Sequence, residues 1–131
     1  MTSPALAVDG NTDGNFANGS VSHTFLDGNA WWQVDLGASS TVNSIAVSNR
    51  TDCCGSRPAD YWVFVSNTPF TASDTPATLA AKAGTWSSHQ TSAPGLSAAI
   101  AVGAAAGRYV RVQLAGTDYL QLAEVQVLGA P

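Results

Sequence analysis

The sequence predicts an all-β fold, an antiparallel β-sandwich. Apolar and polar residues alternate over short runs instead of recurring at helical spacing. Asp, Asn, Gly and Pro punctuate the gaps between those runs at close intervals. Only one segment carries both helix start and stop signals. With 131 residues, residues 1–131 read as a single domain, large enough to bury a core.

The strands can be placed in order. WQVDL (32–36), SIAVSNR (44–50), YWVFVSN (61–67), RYVRVQL (108–114) and EVQVLG (124–129) each alternate, and LDGN, SNTPF and APGLS are the turns between runs. Adjacent strand residues point to opposite faces, so at least one of Trp31 and Trp32 belongs to the core. Trp62 and Trp86 read as packing residues, and His89 is assigned no role. In RYVRVQL, Val110, Val112 and Leu114 share a face, which leaves Arg111 with Tyr109 and Gln113 on the other. TPATLAAKAG (75–84) reads as one short helix, with Thr75 as cap and Gly84 after its end. The Ala-rich SAAIAVGAAAG (97–107) is a poor helix because of Val102 and its glycines.

Composition removes several functions. The formal net charge is -4, only 11% of residues are charged, and Lys82 is the single lysine. Without a basic run, nucleic-acid binding through phosphate neutralisation is excluded. No apolar stretch reaches the length of a membrane span, so membrane insertion is not expected. MTSPALAVDG lacks the charged and apolar regions of a signal peptide. The expectation is a secreted or extracellular domain whose leader has been removed, or a domain excised from a longer protein.

Near the start, DGNTDG (9–14) matches the first half of a calcium loop, D-x-[DN]-x-[DN]-G. Calcium takes six to eight hard oxygens, which closely spaced Asp and Asn side chains supply. A helix–loop–helix site does not fit: the twelfth loop position is Ser20 where Glu is needed, and no amphipathic helices flank it. Any metal there must complete its shell from elsewhere, and the chain's one glutamate, Glu124, stands just before a strand. Two tight turns of the same composition are the competing reading.

The stretch NRTDCCGSRPADYW (49–62) holds both cysteines, adjacent, with Arg50 and Arg57 on either side, two of the four arginines in the chain. Two cysteines cannot cage a metal alone, and there is no CxxC. A Cys53–Cys54 disulfide would close no loop, so its use would be local, as a flat polarizable sulfur platform; a pair of buried thiols is the alternative. Guanidinium donors beside such a surface suit a small ligand with hydroxyls and an apolar face, such as a sugar. Asp52 could orient Arg50 or Arg57 as a bidentate partner, or the charges could form a solvated ion pair of little worth. Charge-assisted hydrogen bonds of roughly 1.5–3 kcal/mol each, offset by the costs of association, predict single-site affinity on the order of micromolar to millimolar.

The spacing H-x26-R-x-D-x4-R, formed by His23, Arg50, Asp52 and Arg57 with the cysteine pair inside the last gap, resembles the fucose-binding signature of the F-type lectins (fucolectins). That family is a jelly-roll, discoidin-like β-sandwich. AVDGNTDGNFANGSVSHT, NAWWQVDLG, GRYVRV and LQLAEVQV resemble further family blocks, so the likeness runs from about Ala7 to Leu128. It implies a terminal L-fucose held by His23, Arg50 and Arg57, a Cys53–Cys54 disulfide under the ring, and Asp52 holding an arginine. It also implies Phe16 beside the fucose methyl, with Ala17 where some members carry a second aromatic. A structural Ca2+ would take Asp9, Asn11, Ser20 and Glu124, with backbone carbonyls of Leu6 and Ala123. The chain departs from the family in lacking most of the strand that usually precedes AVDGN, in having no disulfide partners beyond the vicinal pair, and in its Ala-rich 75–105 region.

The partners implied are L-fucose and fucosylated glycans, with tandem domains or oligomers supplying avidity. The alternative is a discoidin-like carbohydrate-binding module of a larger glycoside hydrolase. No enzyme is expected of the chain itself. A glycosidase needs two carboxylates across a bond, and a Ser–His–Asp arrangement around His23 lacks any GxSxG-type support. A redox role for the cysteines and a lipid- or protein-binding discoidin-like module are the other readings. The latter would call for protruding apolar or basic loops, and the only basic cluster is Arg50/Arg57.

Overall fold

The computed structural model describes residues 2–130; Met1 and Pro131, the ends of the expected domain, lie outside the described residues. Two 3-10 turns, Pro4–Val8 and Phe16–Asn18, precede the strands β1 (Ser22–His23), β2 (Asp27–Gly28), β3 (Trp31–Ser48), β4 (Tyr61–Ser66), β5 (Trp86–Gln90), β6 (Ser97–Leu114), β7 (Thr117–Asp118), β8 (Gln121–Leu122) and β9 (Glu124–Ala130), with one helix, α1 (Pro76–Ala80). Five strands join antiparallel in the order β5-β4-β6-β3-β9, while β1 pairs with β8 and β2 with β7.

The runs read as separate strands at 32–36 and 44–50 are one strand, β3, and the Ala-rich 97–107 segment is the first half of β6. The second half of the sequence pattern explains it: Ile100 and Val102 are buried while Ala101 and Gly103 are exposed, a period of two that a helix would scatter around its axis. β3 and β6 pair from Trp31↔Gln113 to Ser48↔Ser97, with register shifts between Asp35 and Ser40 and between Val42 and Ser44. Such bulges bend a ladder. One half of the pair, Trp31–Asp35 with 109–113, continues into β4 and β5, and the other is flanked by β9. A single apolar cluster draws on both halves: Trp32, Val63, Val110 and Val112 from one, Ile45, Val47, Ile100 and Val125 from the other. The result is the sandwich the alternation predicts.

A second, smaller cluster covers the opposite face of β4, where Phe70 and Leu79 pack on Phe64 with Trp62 and Tyr109 alongside. Thr75 caps α1 through a reciprocal capping box with Thr78, as its sequence position suggests. The helix stops at Ala80, short of the predicted end at residue 84, because only Pro76 and Leu79 bury a face. Arg111, on the same face of β6 as Tyr109 and Gln113, is fully buried beneath this segment. It stacks on Trp31 at 4.3 Å and Phe70 at 5.1 Å, and donates to Gln33 Oε1 at 2.8 Å and the Thr71 carbonyl at 2.9 Å. Burial lowers its pKa. Of the tryptophans, Trp32 is core and Trp31 forms the stacking surface for Arg111. His89 lies parallel to the Trp62 ring, with centroids 4.3 Å apart, and pairs with Asp60.

Two glycines permit the closest approaches in this frame. A Cβ at Gly129 would sit 1.8 Å from the Thr41 carbonyl oxygen, and one at Gly107 would sit 2.3 Å from Val65 Cγ1. Gly129→Ala must therefore push β9 away from β3, at a cost of about 1–3 kcal/mol. A denaturant titration is expected to show that loss, and a midpoint equal to the parent's would contradict the close approach.

Candidate functional site

The loop that leaves β3 is closed by one buried side chain. Asn49 donates through Nδ2 to the Gly55 carbonyl at 2.9 Å, and its Oδ1 accepts the Arg50 N–H at 2.8 Å. Within the loop, Cys53 and Cys54 form a disulfide with their Cα atoms 3.8 Å apart, so the cysteines are neither free nor buried as thiols. Cys54 has φ of 63°, a left-handed conformation uncommon outside glycine. That geometry turns its carbonyl inward, where it accepts from the Arg57 N–H at 3.0 Å and from Gln121 Nε2 at 2.7 Å.

The motif residues converge beside this loop. Asp52 takes Arg50 Nε at 2.9 Å and Nη2 at 3.1 Å, a bidentate pair, and also accepts the Phe16 N–H at 3.0 Å. The Arg50 hydrogen bonds, followed by that of Phe16, hold the Asp52 carboxyl well below the usual carboxylate range. The Arg50 guanidinium lies 4.4 Å above the Phe16 ring. Arg57 covers Tyr119 at 4.8 Å, and its Nη1 lies 3.4 Å from His23 Nε2 and 3.2 Å from Gln121 Oε1. His23 meets Phe16 edge-on at 5.5 Å and Tyr119 at 5.2 Å. Residues from four parts of the chain, Phe16, His23, the 50–57 loop and 119–121, thus bring guanidinium donors, an imidazole and an aromatic edge together beside the loop that carries the disulfide. A cavity of about 560 Å³ opens nearby between Phe25, Asn29 and Trp31 with His23 on its wall, but neither arginine lines it.

The His23 tautomer follows from its partner. Nδ1 lies 2.7 Å from the Thr24 carbonyl, which only accepts, so Nδ1 carries the proton and Nε2 is left as an acceptor toward the arginines. Burial lowers the His23 pKa most; the Thr24 hydrogen bond raises it, and the positive charges of Arg50 and Arg57 lower it further. The ring is neutral at pH 7.

The acidic loop is a chain of Asx turns: Asp9 Oδ1 accepts from Asn11 N–H, Asn11 Oδ1 from Asp13 N–H, and Asp13 Oδ1 from Asn15 N–H, each at 2.9 Å. Gly14 occupies the glycine position of the calcium-loop motif for a different reason than a turn. A Cβ there would lie 2.6 Å from the Asn49 carbonyl, and the Gly14 carbonyl accepts the Thr51 N–H at 2.7 Å. The loop is thereby laid on the arginine loop. At its other end the Gly10 N–H donates to Glu124 Oε2 at 2.9 Å, while Glu124 Oε1 is buried with no hydrogen-bond partner among the described residues. Burial raises the Glu124 pKa, and the nearby Asp9 charge adds to that. Among the described residues no three His, Cys, Asp or Glu groups come together as a metal site.

Sequence reasoning missed Gln121 and Tyr119. Gln121 stands opposite His23 in the β1–β8 ladder, a pairing between residues 98 positions apart that no local pattern carries. The one signal was a polar residue flanked by Leu120 and Leu122 in a short strand-like run, which the structure buries completely.

A family model described as NedA-like, galactose-binding domain, of the F5/F8 type C kind, matches residues 6–112. Fucolectin-1 of Anguilla japonica is 35% identical over 131 residues, covering 97% of this chain and 68% of that protein. A structure of the lectin domain of lectinolysin complexed with Lewis B antigen superposes with a TM-score of 0.81 at 32% identity, covering 99% of this chain and 86% of that one. The crystal structure of an F-lectin (fucolectin) from striped bass (Morone saxatilis) serum gives a TM-score of 0.78 at 34% identity, covering 98% of this chain and 42% of that one.

His23 is expected to titrate below an ordinary histidine, near ~6.5, and to carry its neutral-state proton on Nδ1. Two-dimensional 15N–1H NMR across a pH series reads both. A midpoint at or above the ordinary value, or an Nε2–H tautomer at neutral pH, would refute the arrangement. Because the folded protein resists this protonation, His23 contributes stability that is present above the unfolded-state pKa and lost as pH falls through it.

Proposed function

Since this chain belongs to the F5/F8 type C domain family, and within it to the fucolectins, we propose that it is a lectin that binds terminal L-fucose without chemical turnover. The observation that carries the reading is the convergence of Arg50, Arg57 and His23 around Gln121, whose amide also holds the carbonyl of the disulfide-bonded Cys54. Those residues answer what a 6-deoxy sugar presents: hydroxyls and a ring oxygen on one side, a methyl group on the other.

Each residue has a derivable part. An arginine has five N–H donors. Asp52 occupies two of those of Arg50 and Gln121 a third, which leaves two N–H groups, one on each terminal nitrogen, for sugar oxygens. Arg57 engages the protein through Nη1, and its Nε and Nη2 have no partner among the described residues. His23 Nε2 accepts a sugar hydroxyl proton as long as the ring is neutral, so affinity follows the His23 titration. The Cys53–Cys54 sulfurs provide a flat polarizable floor for the C–H face, and Phe16 meets the methyl. Ala17, exposed beside it, leaves that wall open. Arg50→Ala is expected to abolish fucose binding in calorimetry while the circular dichroism spectrum and melt stay near those of the parent. Retention of full affinity would overturn the assignment.

We infer a structural calcium ion at the acidic loop. The donor set fits one: a buried carboxylate oxygen on Glu124 without a partner, the charge of Asp9 beside it, and a loop rich in hard oxygens. Asp9, Asn11, Ser20 and Glu124, with the carbonyls of Leu6 and Ala123, would hold it. Bound calcium would supply the positive charge that two neighbouring carboxylates lack. The chain itself transmits the effect, because Gly14 and the Phe16 N–H tie this loop to Thr51 and Asp52. Chelation is expected to lower the melting temperature, with added Ca2+ restoring it in a concentration-dependent way. An unchanged melt in protein verified to be metal-free would remove the ion from this account.

A secreted or extracellular setting suits the disulfide, which would be reduced in a glutathione-poised cytosol. The chain spans about two thirds of the eel fucolectin. One weak site per domain makes tandem repeats or oligomers the route to avidity on fucosylated glycans.

A further inference from the structure

We propose that Gln121 is the positioning residue that gathers the clamp: one buried amide sets the separation of the two arginines and fixes the disulfide loop behind them. The inference rests on the fucose-binding reading of Arg50 and Arg57.

Gln121 is fully buried, yet its whole amide is turned toward the site. Oε1 accepts from Arg57 Nη1 at 3.2 Å and from Arg50 Nη1 at 3.5 Å, and Nε2 donates to the Cys54 carbonyl at 2.7 Å. Its backbone pairs directly with that of His23. A single side chain therefore touches both guanidiniums and the backbone carbonyl of Cys54, and its strand neighbour is the histidine. Among the described residues no other side chain hydrogen-bonds both guanidiniums: Asp52 holds Arg50 alone, while His23 Nε2 and the Tyr119 ring meet Arg57.

The chemistry of an amide suits this place. Two guanidiniums directed at one small ligand repel each other, and each would otherwise swing toward solvent on a long side chain at an entropic cost to binding. A shared acceptor between them offsets the repulsion and holds both rotamers before the ligand arrives. A carboxylate at the same spot would face the Cys54 carbonyl at hydrogen-bond distance with no proton to give, setting two oxygens against each other and leaving that carbonyl only the Arg57 N–H. Only a group with an acceptor at one end and a donor at the other satisfies both neighbours. The reach also matters: asparagine is one methylene shorter than the span from β8 to both arginines.

The test uses Gln121→Met, which keeps length and volume, and Gln121→Asn, which keeps the amide and loses the reach. Two readings are taken on each: NMR of the arginine side chains in the sugar-free protein, and fucose affinity by calorimetry, with the melt as a check on folding. The expected result is that the Arg50 and Arg57 side-chain signals of both variants show increased mobility and that affinity falls at least tenfold at a melting temperature close to the parent's. If either variant fails to fold, the other carries the test. Arginines that stay ordered, or arginines that become mobile while affinity is retained, would overturn the role. Parent protein that binds no fucose while Gln121→Met still releases the arginines would overturn the fucose reading and leave the gathering of the arginines standing.

Discussion

The contact on which the rest of the molecule depends is the pairing of two 18-residue strands, β3 and β6. β4 is attached to β6 and β9 to β3, with β5 added outside β4, and the bulges between Asp35 and Ser44 turn a single ladder into the two layers of a sandwich. The functional loop is an extension of the same pair. Ser48 ends β3 and accepts the Ala123 N–H at 2.9 Å, which brings the β8–β9 corner against the strand end. Asn49 then closes the arginine loop beside it. Residues 23, 50, 57 and 121 meet because this strand end, the β1–β8 ladder and the loop share one corner of the sandwich.

Electrostatics explain why so acidic a chain concentrates half its arginines at that corner. A site for a neutral polyol needs more donors than its surroundings can satisfy. Among the described residues Asp52 is the one carboxylate paired to these two arginines, and it takes up only the Nε edge of Arg50, leaving an N–H free on each terminal nitrogen. The remaining acceptors are neutral: an amide oxygen, an imidazole nitrogen and two aromatic faces. They orient the cations without quenching them. The other two arginines are spent differently, Arg108 on an exposed bidentate pair with Asp35 and Arg111 on the inner face of the small aromatic cluster.

Much of the fold was legible because strand alternation is a local property. Val110, Val112 and Leu114 announce a buried face, and the core contains all three. The continuity of β3 was not legible, since ASST at 38–41 breaks the alternation and pairing with β6 carries the strand through the bulge. The 97–107 segment was left undecided because alanine is compatible with either conformation, and the ladder with β3 chose for it. Alternation puts Arg111 on the face of Tyr109 and Gln113, but its burial was not legible, because the segment that covers it, 67–80, packs through Phe70 and Leu79 from another part of the chain.

For the site, residue type and closeness in sequence by themselves put Arg50, Asp52, Arg57 and the cysteine pair together and marked the acidic loop as a run of hard oxygens, while His23 joined them only through the resemblance to the F-type lectin signature. The tertiary structure decided which arginine Asp52 holds, that the cysteines are joined, which nitrogen of His23 bears the proton, and that Gln121 and Tyr119 complete the cluster. The physical reason is range. A residue's chemistry is written in its side chain, but its hydrogen-bond partners are set by chain crossings such as His23 opposite Gln121 and Gly14 against Asn49, which exist only once the sheets have packed.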